Sequence, residues 1–121
     1  MKLTETEHRI MALIWAQEGI PAGALSDKLR EQVGWSKTTT YTLLTRCMEK
    51  GLIRREDPKF RCYSLVSRQQ VADWETDALL RSNFDDRPDL LIASLVGRRK
   101  LSPSQMAELY DLLRGMEARE E

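Results

Sequence analysis

One histidine, two cysteines and no glycine-rich loop leave this 121-residue chain little with which to catalyse a reaction or hold a metal. A structural zinc site takes four thiolate or imidazole ligands, and His8 lies far in sequence from Cys47 and Cys62. No metal and no cofactor are expected. A nucleophile beside a base is also missing, so the chain reads as a non-enzyme. No apolar run approaches the roughly eighteen residues that a membrane span requires. The first residues, MKLTETEHR, lack the apolar core of a signal peptide. These absences predict a cytoplasmic protein without direct membrane association, its two thiols unpaired.

An excess of one charge is missing as well, with 19 Lys/Arg against 19 Asp/Glu, but the balance is uneven along the chain. Residues 1–66 hold 11 basic against 8 acidic residues, and residues 67–121 hold 8 against 11. Between Trp35 and Tyr63 the count is seven basic to three acidic. Local charge, rather than the total, sets the field at a binding face.

What is present is helical patterning. Thr4 and Glu7 are spaced as a capping box ahead of Ile10, Met11, Leu13, Ile14 and Trp15. Pro21 and Gly23 punctuate the connection to a second pattern, Leu25, Leu29 and Val33, which ends near Gly34. The stretch WSKTTTYTLLTRCMEKG, Trp35 to Gly51, has a strand-like composition in its first half. Yet Leu43, Leu44, Cys47 and Met48 recur at helical spacing, Ser36 suits an N-cap and Gly51 a stop. The period predicts a third helix from about Lys37 to Lys50, with Thr40 and Tyr41 at the edge of its apolar side. Residues 52–55 and 60–65 then read as a hairpin around Glu56-Asp57-Pro58-Lys59. Cys47 falls on the apolar stripe, and Cys62 reads as a partly exposed hairpin thiol beside Arg61, expected to pack inertly rather than to react.

Three helices followed by a basic hairpin predict a winged helix-turn-helix over residues 1–66, in which the third helix enters a DNA major groove. That role explains the threonines. Thr38, Thr39, Thr42 and Thr45 project away from the core, and short hydroxyls can bond phosphates and base edges while their methyls meet thymine. Arg46 can grip a phosphate or a guanine edge, and Lys37 stands at the helix start, where an anion is welcome. Arg54, Arg55, Lys59 and Arg61 would carry the wing to a neighbouring phosphate.

Residues 67–121 predict three more helices, opened by Ser67-Arg68-Gln69-Gln70, by Pro88 and by Ser102-Pro103-Ser104-Gln105. Their apolar faces include Val71, Trp74, Leu79, Leu91, Leu95, Met106, Leu109 and Leu113, more than 55 residues can bury alone. The expected solution is a homodimer joined by this region. The fold class is thus mainly α with a small β-hairpin wing, an N-terminal winged helix-turn-helix followed by a C-terminal helical dimerisation segment. The rival reading is a protein-interaction adaptor that uses the winged helix as a scaffold.

The residues also resemble a known family. LTETEHRIMALIW is similar to the LT-x-x-E-x-x-[IV]M-x-x-[IVL]W signature of the penicillinase repressor (BlaI/MecI/CopY) family, and GWSKTTTYTLLTRCMEKGLI to its WS-x-x-T-[IV]-x-TLL-x-RL-x-KKG segment. CYSLVSRQQV follows the family's wing strand and the helix after it. The resemblance implies a homodimeric repressor on a palindromic double-stranded operator. Thr39, Thr42 and Arg46 match its recognition-helix positions, whereas Thr38 and Tyr41 stand where relatives often carry lysine. Copper-responsive members carry Cys-x-Cys pairs near the C-terminus, absent from this sequence. Beta-lactam-responsive members are released by proteolysis between an asparagine and a phenylalanine, commissioned by a membrane-bound sensor protease. The corresponding pair is Ser94 and Leu95, which leaves proteolytic release open with a different protease specificity.

Overall fold

A computed structural model describes residues 1–120. The chain divides into two compact units, Met1–Thr76 and Asp77–Glu121. The first begins with α1 (Glu5–Ala16), and the predicted capping box is there: Thr4 Oγ1 accepts from the Glu7 N–H at 3.2 Å and Glu7 Oε1 accepts from the Thr4 N–H at 2.8 Å. Ile10, Met11 and Ile14 form its buried stripe. After α2 (Ala22–Val33), Gly34 takes a left-handed conformation at φ 73 and donates its N–H to Arg30 O, closing the helix where the sequence placed its stop.

The third helix, α3 (Lys37–Glu49), forms despite its threonines. Ser36 Oγ accepts from the Thr39 N–H at 3.1 Å, and Thr40, Leu44 and Cys47 are buried on one side. Gly51 at φ 75 ends it: the Gly51 N–H reaches Met48 O and the Leu52 N–H reaches Cys47 O, so two orphan carbonyls of the last turn are satisfied. Tertiary burial thus overrides local strand preference in the first two turns.

The hairpin consists of β2 (Ile53–Glu56) and β3 (Arg61–Ser64), antiparallel with Ile53 opposite Ser64 and Glu56 opposite Arg61. A strand absent from the sequence reading, β1 (Ile20–Pro21), joins the far side of β3, giving the order β1-β3-β2. The expected punctuating connection therefore carries a ladder. A two-residue strand shows no alternation, and its partner β3, about forty positions on, supplies the pairing, Ile20 with Cys62 and Pro21 with Arg61. Pro21, with no N–H to donate, is tolerated because β1 lies at an edge.

The two sides meet in a core of Ile10, Met11, Ile14, Ile20, Leu25, Leu29, Leu44, Leu52 and Ile53, each no more than 2% exposed. Burial of each such side chain contributes roughly 1.5–3 kcal/mol. Cys47 and Cys62 belong to it, both fully buried, and burial pushes each thiol up to about 11. The expected partial exposure of Cys62 is thereby corrected: the pleat turns it inward between exposed Arg61 and half-buried Tyr63, and both thiols stay neutral.

The long helix α4 (Arg68–Asn83) starts at its predicted capping box, Ser67 with Gln70. Its first turns fold with the first unit. Val71 is 2% exposed in that core and Trp74 packs against it. Glu75 Oε2 meets His8 Nε2 at 2.9 Å and accepts from the Leu3 N–H at 3.2 Å. Burial alone would raise the Glu75 carboxyl, but those bonds hold it below the ordinary carboxylate range.

The second unit contains the end of α4, α5 (Pro88–Gly97) and α6 (Pro103–Glu120). Pro88 occupies the first turn of α5, and Ser102 and Gln105 cap α6 reciprocally at 2.9 and 3.1 Å. None of residues 77–118 is buried, although α5 reads PDLLIASLVG.

Candidate nucleic-acid interface

Helical geometry places Thr38, Thr39, Thr42, Thr45 and Arg46 on the exposed side of α3, opposite the buried Thr40, Leu44 and Cys47, and Lys37 is exposed as the first residue of the helix. An open concavity of about 590 Å³ is lined by Lys37, Thr38, Tyr41, Thr42 and Thr45. The hydroxyls are not equivalent. Thr45 Oγ1 donates back to Tyr41 O at 3.0 Å, which leaves it an acceptor, with its methyl outward. Thr39 Oγ1 accepts from Ser36 Oγ at 3.0 Å and keeps its own proton to donate. Thr38 and Thr42 have no hydroxyl partner among the described residues, so both can donate and accept.

The C-terminal end of α3 is held differently. Lys50 Nζ meets the buried Glu7 carboxylate at 2.8 Å, the same oxygen that receives the Thr4 N–H. Burial raises the Glu7 carboxyl, but the Lys50 ammonium and the Thr4 N–H outweigh it and hold it below its ordinary value. One side chain thus caps α1 and anchors α3. Arg46 stands beside this anchor, in a second concavity of about 450 Å³ shared with Thr4, Thr6, Glu7, Leu43, Glu49 and Lys50.

The wing cations prove mostly occupied. Arg54 Nη1 lies 2.6 Å from Glu56 and its guanidinium stacks 4.3 Å over the Tyr63 ring. Arg55 pairs with Asp57 at 3.1 Å and stacks 4.0 Å over Phe60. Arg61 Nη1 donates to Gly19 O at 3.2 Å. Among the described residues Lys59 has no such partner. It stands exposed with φ 74, next to Phe60 at φ 50.

One contact joins these parts. The Tyr41 and Phe60 rings meet edge to face, centroids 5.5 Å apart at 88°, and so connect α3 to the wing. Tyr41 was visible as a residue on the edge of the apolar stripe. Its partner was not, because Phe60 arrives through the hairpin turn.

The residues assigned to self-association separate. Val71 and Trp74 serve the core of the first unit, which removes Val71 from any outer face. Leu79, Met106 and Leu113 are exposed by 42%, 46% and 50%, while Leu91, Leu95 and Leu109 are half-buried. Ser94 and Leu95 lie within α5, both half-buried. Among the described residues no cluster of three or more His, Cys, Asp or Glu could hold a metal, and no helix is long and apolar enough to cross a membrane.

A family model described as penicillinase repressor matches residues 3–115. The methicillin resistance regulatory protein MecI of Staphylococcus aureus (strain N315) is 27% identical over 114 residues, covering 93% of each chain. The MecI protein of Mammaliicoccus sciuri gives the same identity and coverage. A 16.5 kDa protein of Latilactobacillus sakei, described by its place in the ptsI 3′ region, is 23% identical over 114 residues, or 93% of this chain and 78% of that one.

Proposed function

Because the chain belongs to the penicillinase repressor family, we propose that it is a homodimeric transcriptional repressor that binds a palindromic DNA operator through α3 and the wing. The observation that carries this is the exposed face of Thr38, Thr39, Thr42 and Thr45 with Arg46, on a helix whose opposite side is buried. Thr38 and Thr42 read base edges, being free to donate and accept, while Thr39 and Arg46 bond phosphate or a guanine edge. Lys37 adds charge at the helix start. The wing, through Lys59 and secondarily Arg54, Arg55 and Arg61, tracks a neighbouring phosphate segment.

In this reading residues 1–66 bind DNA and residues 67–121 join the copies, with the first turns of α4 also completing the DNA-binding core. Support for the second role is α5, apolar on nearly all sides yet without a buried residue, and α6, whose Met106, Leu109, Leu113 and Met116 recur at coiled-coil spacing. Two linked half-site readers gain effective concentration, so a severed dimer loses operator affinity by orders of magnitude. Cleavage at Ser94-Leu95 by a membrane-bound sensor protease would sever it, after local unwinding of α5 to fit a protease cleft.

A mobility-shift assay on the promoter upstream of the chain's own gene tests the proposal. The expected result is a salt-sensitive shift, abolished by replacing Thr42 and Arg46 with alanine. A wild-type protein that gives no shift at micromolar concentration, or a variant that still represses in the cell, would favour the adaptor reading instead.

A further inference from the structure

The Tyr41–Phe60 contact has a place in the fold that neither helix nor wing chemistry explains alone. Tyr41 is half-buried on α3, one helical position from Thr42, and Phe60 is half-buried at the base of the wing tip, one residue from Lys59. The pair is extended at both ends by cations. Lys37 Nζ lies 5.8 Å from the centre of the Tyr41 ring, and the Arg55 guanidinium sits 4.0 Å over Phe60, itself held by Asp57. The backbone is fixed too. Phe60 O accepts from the Ala22 N–H at 2.9 Å, and Lys59 and Phe60 both adopt φ values that bulky residues hold only when their surroundings impose them.

We propose that Tyr41 and Phe60 are positioning residues that set the offset between α3 and the wing, so that Lys59 meets a phosphate only when α3 is seated in the groove. This rests on the DNA-binding reading above. With Arg54, Arg55 and Arg61 occupied within the protein, Lys59 is, among the described residues, the wing cation that can neutralise a phosphate and displace its counterion without first breaking a bond. An edge-to-face ring pair has a definite distance and angle, unlike an aliphatic contact. It therefore transmits the position of the helix to the wing tip. Substitution of Tyr41 changes the reach of the wing even where the base-reading threonines are untouched.

The test is a cycle read as the slope of log affinity against log salt, using a duplex that the wild-type protein selects from a randomised pool. Lys59→Ala in the wild-type background should lower the slope by about 0.9, the value for one lost phosphate contact. In a Phe60→Leu background, which keeps apolar volume but loses the ring, Lys59→Ala should leave the slope unchanged. Phe60→Tyr should restore the full Lys59 effect, and Tyr41→Leu should reproduce Phe60→Leu. Thermal melts of each variant confirm a folded protein, and a general loss of stability would not move the Lys59 increment selectively. If Lys59→Ala lowers the slope equally in the wild-type and Phe60→Leu backgrounds, or not at all in the wild type, the positioning role is overturned while DNA binding stands. A wild-type protein that selects no duplex and shows no salt dependence overturns both.

Discussion

Replacing Lys50 with methionine isolates the contact between Glu7 and the end of α3. The Glu7 side chain is 7% exposed and its Oε1 lies 2.8 Å from Lys50 Nζ, whereas Lys50 is 36% exposed. Two unit charges about 4 Å apart attract by about 4 kcal/mol at the effective dielectric of a protein surface, before either is desolvated. Most of that is cancelled by the cost of burying Glu7, and screening at the exposed lysine reduces it further. Lys50→Met leaves a buried carboxylate with the Thr4 N–H alone, which should cost about 1–3 kcal/mol at neutral pH. For a unit of this size that lowers Tm by roughly 4–8 °C per kcal/mol. The pH dependence fixes the cause. In the wild type the Glu7 carboxyl is held below 4.5, so its contribution is present above that value and fades as pH falls through the folded one. Thermal denaturation at pH 7 and at successively lower pH should show a large deficit for Lys50→Met at the first, shrinking as pH falls through the lowered Glu7 value. A deficit that stays constant down the whole acid range would mean that lost alkyl packing, not charge, is responsible, and would refute the reasoning. Glu7→Gln, which keeps both capping bonds, should also make Lys50→Met nearly neutral when the two are combined.

Arg46→Ala should weaken operator binding by about 1–3 kcal/mol in a titration at fixed salt, without shifting the melting curve, because its side chain is exposed. Gly19→Ala should destabilise the first unit by more than about 1 kcal/mol in urea denaturation. Gly19 sits at φ 85, and an added Cβ would come within 2.9 Å of the Tyr63 hydroxyl. Leu113→Glu on the exposed face of α6 should convert the proposed dimer to monomer in sedimentation velocity and lower operator affinity at least tenfold, while the melting of the first unit is unchanged.

The outline of this molecule was legible where period and punctuation agree. Thr4 with Glu7 and Ser67 with Gln70 open helices, and Ser36 with Gly51 brackets one, that the structure contains. The threonine-rich half of α3 was legible through its second half, since Leu44 and Cys47 impose a helical register that Thr40 then obeys. β1 was not, because two residues carry no period and acquire strand geometry from a distant partner. The wing charges were legible as charges but not as ion pairs. The clue for one pair was the spacing: Arg54 and Glu56 are two apart on β2, which places both on one face, whereas Asp57 reaches Arg55 from the turn that follows the strand. Val71 looked like any other apolar helix residue, and only its neighbours reveal that it belongs to the first unit's core.

The arrangement of the sheet has a consequence for the protein at high concentration. Its outer strands are β1, where Pro21 offers no amide proton, and β2, where Arg54, Arg55 and Glu56 are all exposed. An incoming strand from another molecule finds an interrupted row of donors on one side and a charged ladder on the other. The sheet is therefore a poor template for runaway strand addition, and a concentrated solution is guarded against fibril growth at both of its edges.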